Sequence, residues 1–201
     1  MNVGSTLALF LGLGIRHILD PGAIDHLLFI AALTIPYRAR QWRSLLWLVT
    51  AFTVGHSLTL ALATIGWLPI QGAVVELLIP VTIFLTSALT LWRLRRPGDG
   101  EPGRGRAWPL YAVTLGFGLI HGLGFSGYLR SLLGAEESIV APLFWFNVGL
   151  EVAQLIAVAT VLGATALVAD RLVSARTWRL AVSGVALALS GQMIIARLAA
   201  V

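Results

Sequence analysis

Nine side chains able to bind a cation stand in or beside long apolar stretches: His17, Asp20, Asp25, His26, His56, Glu76, His121, Asn147 and Glu151. Imidazoles and carboxylates without thiols suit divalent transition metals, Ni²⁺, Co²⁺, Zn²⁺, Mn²⁺ or Fe²⁺. Cysteine is absent, which excludes disulfides, zinc–thiolate sites and iron–sulfur clusters. Methionine occurs only at Met1 and Met193, so a thioether site for Cu⁺ is excluded too. Four of the candidate ligands, His17, Asp20, Asp25 and His26, fall within ten residues around Asp20-Pro21-Gly22. That tripeptide breaks a helix and frees backbone carbonyls that could add oxygen ligands. Asn147, Glu151 and Gln154 are spaced i, i+4, i+7 and share one helix face.

The elements that must hold these groups are apolar. Of the 201 residues, 58% are hydrophobic and 11% charged, against about 45–50% and about 25% in a soluble domain. This excludes an ordinary soluble enzyme and a disordered chain together. Seven apolar segments are expected at about 3–18, 23–37, 43–66, 73–93, 108–133, 139–168 and 178–200. The fold class expected is therefore all-α, a polytopic membrane helix bundle of about 6–7 transmembrane segments in a single integral membrane domain over residues 1–201. The first one or two segments are short and broken at Asp20-Pro21-Gly22, either two short spans or one interrupted element dipping back. The N-terminus has no basic region or small-residue cleavage site and is not expected to be a signal peptide.

Arginine sets the orientation. The net charge of +5 rests on 14 basic residues, all arginine. Eleven of them gather in or beside alternate connections: Arg38, Arg40 and Arg43; Arg93, Arg95, Arg96, Arg104 and Arg106; Arg171, Arg176 and Arg179. The connections between, including Glu136 and Glu137, carry none, as the positive-inside rule requires. The partner of this charge is thus the lipid bilayer, with no nucleic acid, and the Gly/Pro-rich loop 97–106 is a flexible cytoplasmic connection. With seven crossings the N-terminus is cytoplasmic and the C-terminus external.

A carboxylate deep in hydrocarbon costs ~2.5 kcal/mol or more, so such groups face a bundle interior with partners. Counting depth along the seven segments places His17, Asp20, Asp25 and His26 at an outer metal site with Glu76 alongside. His56, His121, Asn147 and Glu151 reach a midplane site. Phe52-Thr53-Val54-Gly55-His56-Ser57-Leu58 also aligns with Phe117-Gly118-Leu119-Ile120-His121-Gly122-Leu123, a hint of a parallel two-fold repeat. Gly118 and Gly122 form a small-xxx-small face beside His121.

Gly124-Phe125-Ser126-Gly127 resembles a membrane-protease serine string, but no histidine follows His121 to serve as base. A haem held by His56 and His121 would leave Glu76, Glu151 and the Asp25-His26 pair unexplained. The stretches GIRHILDPGAIDHLLF (14–29), TAFTVGHSLTLALA (50–63), VVELLIP (74–80), FGLIHGLGFSGYL (117–129) and FNVGLEVAQL (146–155) together resemble the HupE/UreJ group of hydrogenase and urease accessory membrane proteins, in its second branch. The resemblance implies a multi-pass protein of the bacterial inner (plasma) membrane with nickel or cobalt uptake as its activity. It carries the family's first histidine–aspartate region onto His17, Asp25 and His26, and its later histidines onto His56 and His121. The expected function is non-enzymatic: binding of a divalent transition metal and its inward transport along a His/Asp/Glu-lined path. The alternative is a non-transporting accessory or structural subunit of a larger membrane complex, and a complex partner or a homo-oligomer both stay open.

Overall fold

The computed structural model describes residues 3–22, 24–68, 72–95, 108–133, 139–169 and 171–200. Among them are seven α-helices: α1 (Val3–Leu19), α2 (Ile24–Thr34), α3 (Trp42–Thr64), α4 (Gly72–Arg95), α5 (Trp108–Leu133), α6 (Val140–Val168) and α7 (Ala175–Ala199). These coincide with the apolar segments of the sequence to within a helical turn. In hydrocarbon every backbone N–H and C=O must be paired inside the protein, and a helix does this within one segment. The loop 97–106 and the acidic connection at Glu136 and Glu137 lie outside the described residues.

Local chemistry sets the helix ends. Pro21 follows α1, and the Asp20 carboxylate accepts the Gly22 N–H at 2.8 Å, which turns the chain. α3 stops before Gly66, whose φ of 84° is open to glycine at little cost. Ser174 caps α7, its hydroxyl accepting the Thr177 N–H at 3.1 Å. Pro80 lies inside α4, where neighbouring helices make it tolerable.

α3 through α7 are each long and apolar enough to cross a bilayer, whereas the first two helices pass only as a pair, bent by 69° between Leu7–Leu19 and Ile24–Thr34. The reason is length: the 11 residues of α2 rise about 16 Å, against a hydrocarbon core of about 30 Å. As one broken span the pair brings the crossings to six, not seven, so the start of α1 and the end of α7 then face the same side. Large apolar side chains such as Trp47, Phe144, Leu167, Val185 and Ile195 are exposed on the outer faces, where lipid would cover them.

The most extensive packing joins α3 to α5, α1 to α6 and α4 to α7. Without a hydrophobic force between helices in lipid, close backbone approach through small residues supplies the attraction. A Cβ on Gly55 would strike the Leu115 carbonyl oxygen and crowd the Leu119 nitrogen; one on Gly118 would strike the Phe52 carbonyl and crowd the His56 nitrogen. The first pair repeats this, with Gly14 against the Phe146 carbonyl and Leu150 nitrogen, and Gly149 against the Leu11 carbonyl and Ile15 nitrogen. The two look-alike segments around His56 and His121 are therefore packing partners.

Two glycines on α5 separate packing from helix propensity. Gly118→Ala forces a methyl into backbone and is expected to destabilise by about 1–3 kcal/mol. Gly116 faces open space, so Gly116→Ala should cause no loss and gain up to about 1 kcal/mol of helix propensity. Thermal unfolding of both variants in one detergent checks the opposite signs.

Candidate metal centre

The break after α1 brings two distant ends of the His17–His26 stretch together. His17 lies in the last turn of α1 and His26 in the first turn of α2, with ring centroids 4.5 Å apart. The third ring comes from the middle of α3: His56 lies 5.7 Å from His17, centroid to centroid. One ring nitrogen from each of His17, His26 and His56 can be chosen so that all three lie within 4.8 Å of one another. Bonds of about 2.0–2.1 Å to one ion would draw tetrahedral donors to about 3.4 Å, a closure within reach of small ring rotations.

The protonation pattern follows from the neighbours. His26 Nδ1 is 3.1 Å from Asp25 Oδ1. As a carboxylate, Asp25 accepts from Nδ1–H and leaves the lone pair on Nε2, an arrangement common behind metal-binding histidines. His26 Nε2, His17 Nε2 and both nitrogens of His56 are buried with no hydrogen-bond partner among the described residues. Buried polar atoms are almost always paired, so a run of orphaned nitrogens in one place fits a ligand set for a cation. Aromatic rings wall it: Phe125 stands 4.1 Å from His17, and Phe146 lies 5.7 Å from His17 and 6.4 Å from His56.

The structure thus joins two members of the expected outer set, His17 and His26, to His56 of the expected midplane set. His121 lies beside them, its ring 5.4 Å from His26, and its Nε2 is 3.0 Å from Thr82 Oγ1. Glu151 is drawn to α3, where its carboxylate accepts the Thr50 hydroxyl at 2.7 Å; one turn on, Gln154 accepts from Thr53 at 2.8 Å. Asn147 donates to the Leu143 carbonyl at 2.8 Å, and its Oδ1 is buried without a partner among the described residues. Asp20 is exposed at the helix break. Glu76 pairs with Arg197 at 2.7 Å, both half exposed at the meeting of α4 and α7.

Thr50, Thr53 and Thr82 had no prominence in the sequence. Thr53 precedes His56 by three residues, so helical spacing alone could have put it on that face, whereas Thr50, six residues before, is turned about 120° away. Thr82 carries no such signal, because its partner His121 lies 39 residues away.

Long apolar helices that cross a bilayer several times, with histidines converging from α1, α2 and α3, define a multi-pass membrane protein with a buried polar centre. The chain belongs to the HupE/UreJ family: the family model described as HupE / UreJ protein matches residues 1–197. That is a family of membrane accessory proteins related to nickel and cobalt transport. No curated protein and no solved structure matches the chain.

Proposed function

We propose that this protein carries a divalent transition-metal ion, Ni²⁺ or Co²⁺, inward across the bacterial plasma membrane. The observation that carries the reading is the convergence of His17, His26 and His56, each with a ring nitrogen within 4.8 Å of the others. In this reading the three histidines are the ligands and Asp25 orients His26. A neutral three-imidazole set binds late first-row ions well, and affinity rises through Co²⁺ to Ni²⁺. Thr50 precedes His56 by six residues, about 9 Å of helix rise, toward the arginine-bearing end of α3. Glu151 with Thr50 and Gln154 with Thr53 then line the way from the cluster to the cytoplasm.

Proteoliposomes holding a metal-sensitive dye test this. Co²⁺ or Ni²⁺ influx is expected with the natural chain and not with His26→Ala, whose affinity should fall by tenfold or more. Binding without influx in the natural chain would support the accessory-subunit alternative. Undiminished binding in His26→Ala would remove the histidine site altogether.

A further inference from the structure

The fourth histidine is prepared as a ligand in the same way as His26. The Thr82 hydroxyl donates to the Ile79 carbonyl at 2.7 Å, so its one hydrogen is committed. Its oxygen must accept from His121, which fixes the proton on Nε2 and leaves the lone pair on Nδ1. That Nδ1 is buried with no partner among the described residues. Gly118 and Gly122 press α5 against the backbone of His56, and the His121 ring lies 5.4 Å from that of His26.

The glycine registers say why this ring resembles His17. Gly55 meets the carbonyl three residues before Gly118 and the nitrogen one after it, and Gly118 meets the same two positions around Gly55. Gly14 and Gly149 meet each other with identical offsets. The sequences follow the registers. Leu11-Gly12-Leu13-Gly14-Ile15-Arg16-His17-Ile18-Leu19 matches Leu115-Gly116-Phe117-Gly118-Leu119-Ile120-His121-Gly122-Leu123, with Leu, Gly, Gly, His and Leu identical. Phe52-Thr53-Val54-Gly55 matches Phe146-Asn147-Val148-Gly149, with Phe, Val and Gly identical. α1 is therefore the counterpart of α5, and α3 of α6.

Successive spans alternate in direction, so α3 and α6, three spans apart, run oppositely. With α1 and α2 as one broken span, α1 and α5 also run oppositely. The chain is thus an inverted repeat, the broken first span with α3 and α4 against α5, α6 and α7. The packing obeys it: exchange of the halves turns the α1–α6 crossing into the α5–α3 crossing and returns α4–α7 to itself. A pair of inverted halves that differ in conformation can exchange those conformations, which exposes a shared site to the other side of the membrane. In the exchanged state His121 takes the place that His17 holds here. By the same registers Leu150 takes the place of His56, so His56 holds the ion only in the present state. His26, on α2 with no counterpart, stands 4.5 Å from His17 and 5.4 Å from His121, ring to ring.

We infer that the ion has a second position at His26 and His121, and that transport hands it from His17 and His56 to His121 while His26 stays bound. The bonds to His17 and His56 break and one to His121 forms, with no change in charge or oxidation state, while the bond to His26 holds the ion throughout its passage in the apolar interior. This inference rests on the proposed transport function.

Co²⁺ serves as the probe, since its visible absorption reports the ligand set while the dye reports influx. His121→Ala in the full chain is expected to keep Co²⁺ affinity within about threefold, because the first position is intact, and to lower influx at least tenfold. Thr82→Val retains His121 but releases its tautomer, and should lower influx with the Co²⁺ spectrum unchanged. His17→Ala should still bind Co²⁺ through the second position, with an altered spectrum. Influx at the natural rate in both His121→Ala and Thr82→Val would overturn the hand-off and leave the transport reading standing. Loss of Co²⁺ binding in His121→Ala as complete as in His26→Ala would mean one four-histidine site and overturn it as well. Cysteines at Gly4 and Ala200, in this naturally cysteine-free chain, should label from the same face; labelling from opposite faces would refute the inversion. No Co²⁺ binding by the natural chain would instead defeat the transport function itself.

Discussion

A His56→Leu variant is expected to melt at a higher temperature than the natural chain without metal, and to lose the rise that metal gives. His56 is 0% exposed, and neither ring nitrogen has a hydrogen-bond partner among the described residues. A buried polar atom left unpaired costs about 1–3 kcal/mol, and leucine fills a similar volume in a pocket walled by Phe52 and Phe146. The metal-free protein should therefore gain stability from the substitution. The natural chain recovers its loss by binding: at one hundred times Kd a ligand stabilises by about 2.7 kcal/mol. A variant with affinity lowered a hundredfold would gain only about 0.4 kcal/mol at the same concentration. Melting curves with Co²⁺ or Ni²⁺ and with a chelator measure both effects. A purely structural histidine predicts the reverse, a metal-free variant that melts lower and an unchanged metal response, and that outcome would sink the ligand assignment.

How much of this was legible in the residues depends on the range of the interaction. The long helices follow from apolar length, because hydrocarbon leaves the backbone no other way to pair its polar groups, and α3 to α7 begin and end near where the apolar runs do. The break at Asp20-Pro21-Gly22 was legible, but its angle of 69° is set by what α1 and α2 pack against. Counting depth along two separate spans therefore assigned His17 and His26 to one level and His56 to another, whereas the bend folds them together. Glu76 drew attention as an acid in an apolar run, yet its partner Arg197 is 121 residues away and no local pattern announces it. The glycine–histidine likeness of the segments around His56 and His121 was visible, but likeness arises from packing partners as readily as from repeat mates. Only the reciprocal contacts of Gly14 with Gly149 and of Gly55 with Gly118 separate the two cases.

Glu151→Gln is expected to lower metal influx at least tenfold while changing equilibrium affinity at the histidines by much less. The substitution is nearly isosteric, and the amide oxygen can still accept the Thr50 hydroxyl, which is 2.7 Å from Glu151 Oε1. What it removes is a negative charge beside the way out. At ~10 Å and an effective dielectric of ~20, a divalent ion and a unit charge attract by about 3 kcal/mol. That attraction is weakest while the ion sits on His17, His26 and His56, whose nitrogens dominate binding there, and grows as the ion leaves toward Thr50. It therefore acts mainly on the barrier between the cluster and the cytoplasm, where a loss of about 1.4 kcal/mol already slows passage tenfold. The measurement pairs Co²⁺ titration by absorbance with dye-reported influx on the same preparation. A scaffold glutamate that only ties α6 to α3 would leave influx intact in the glutamine variant, since the tie survives. Equal losses of affinity and influx would make Glu151 a ligand of the ion, not a charge along its exit.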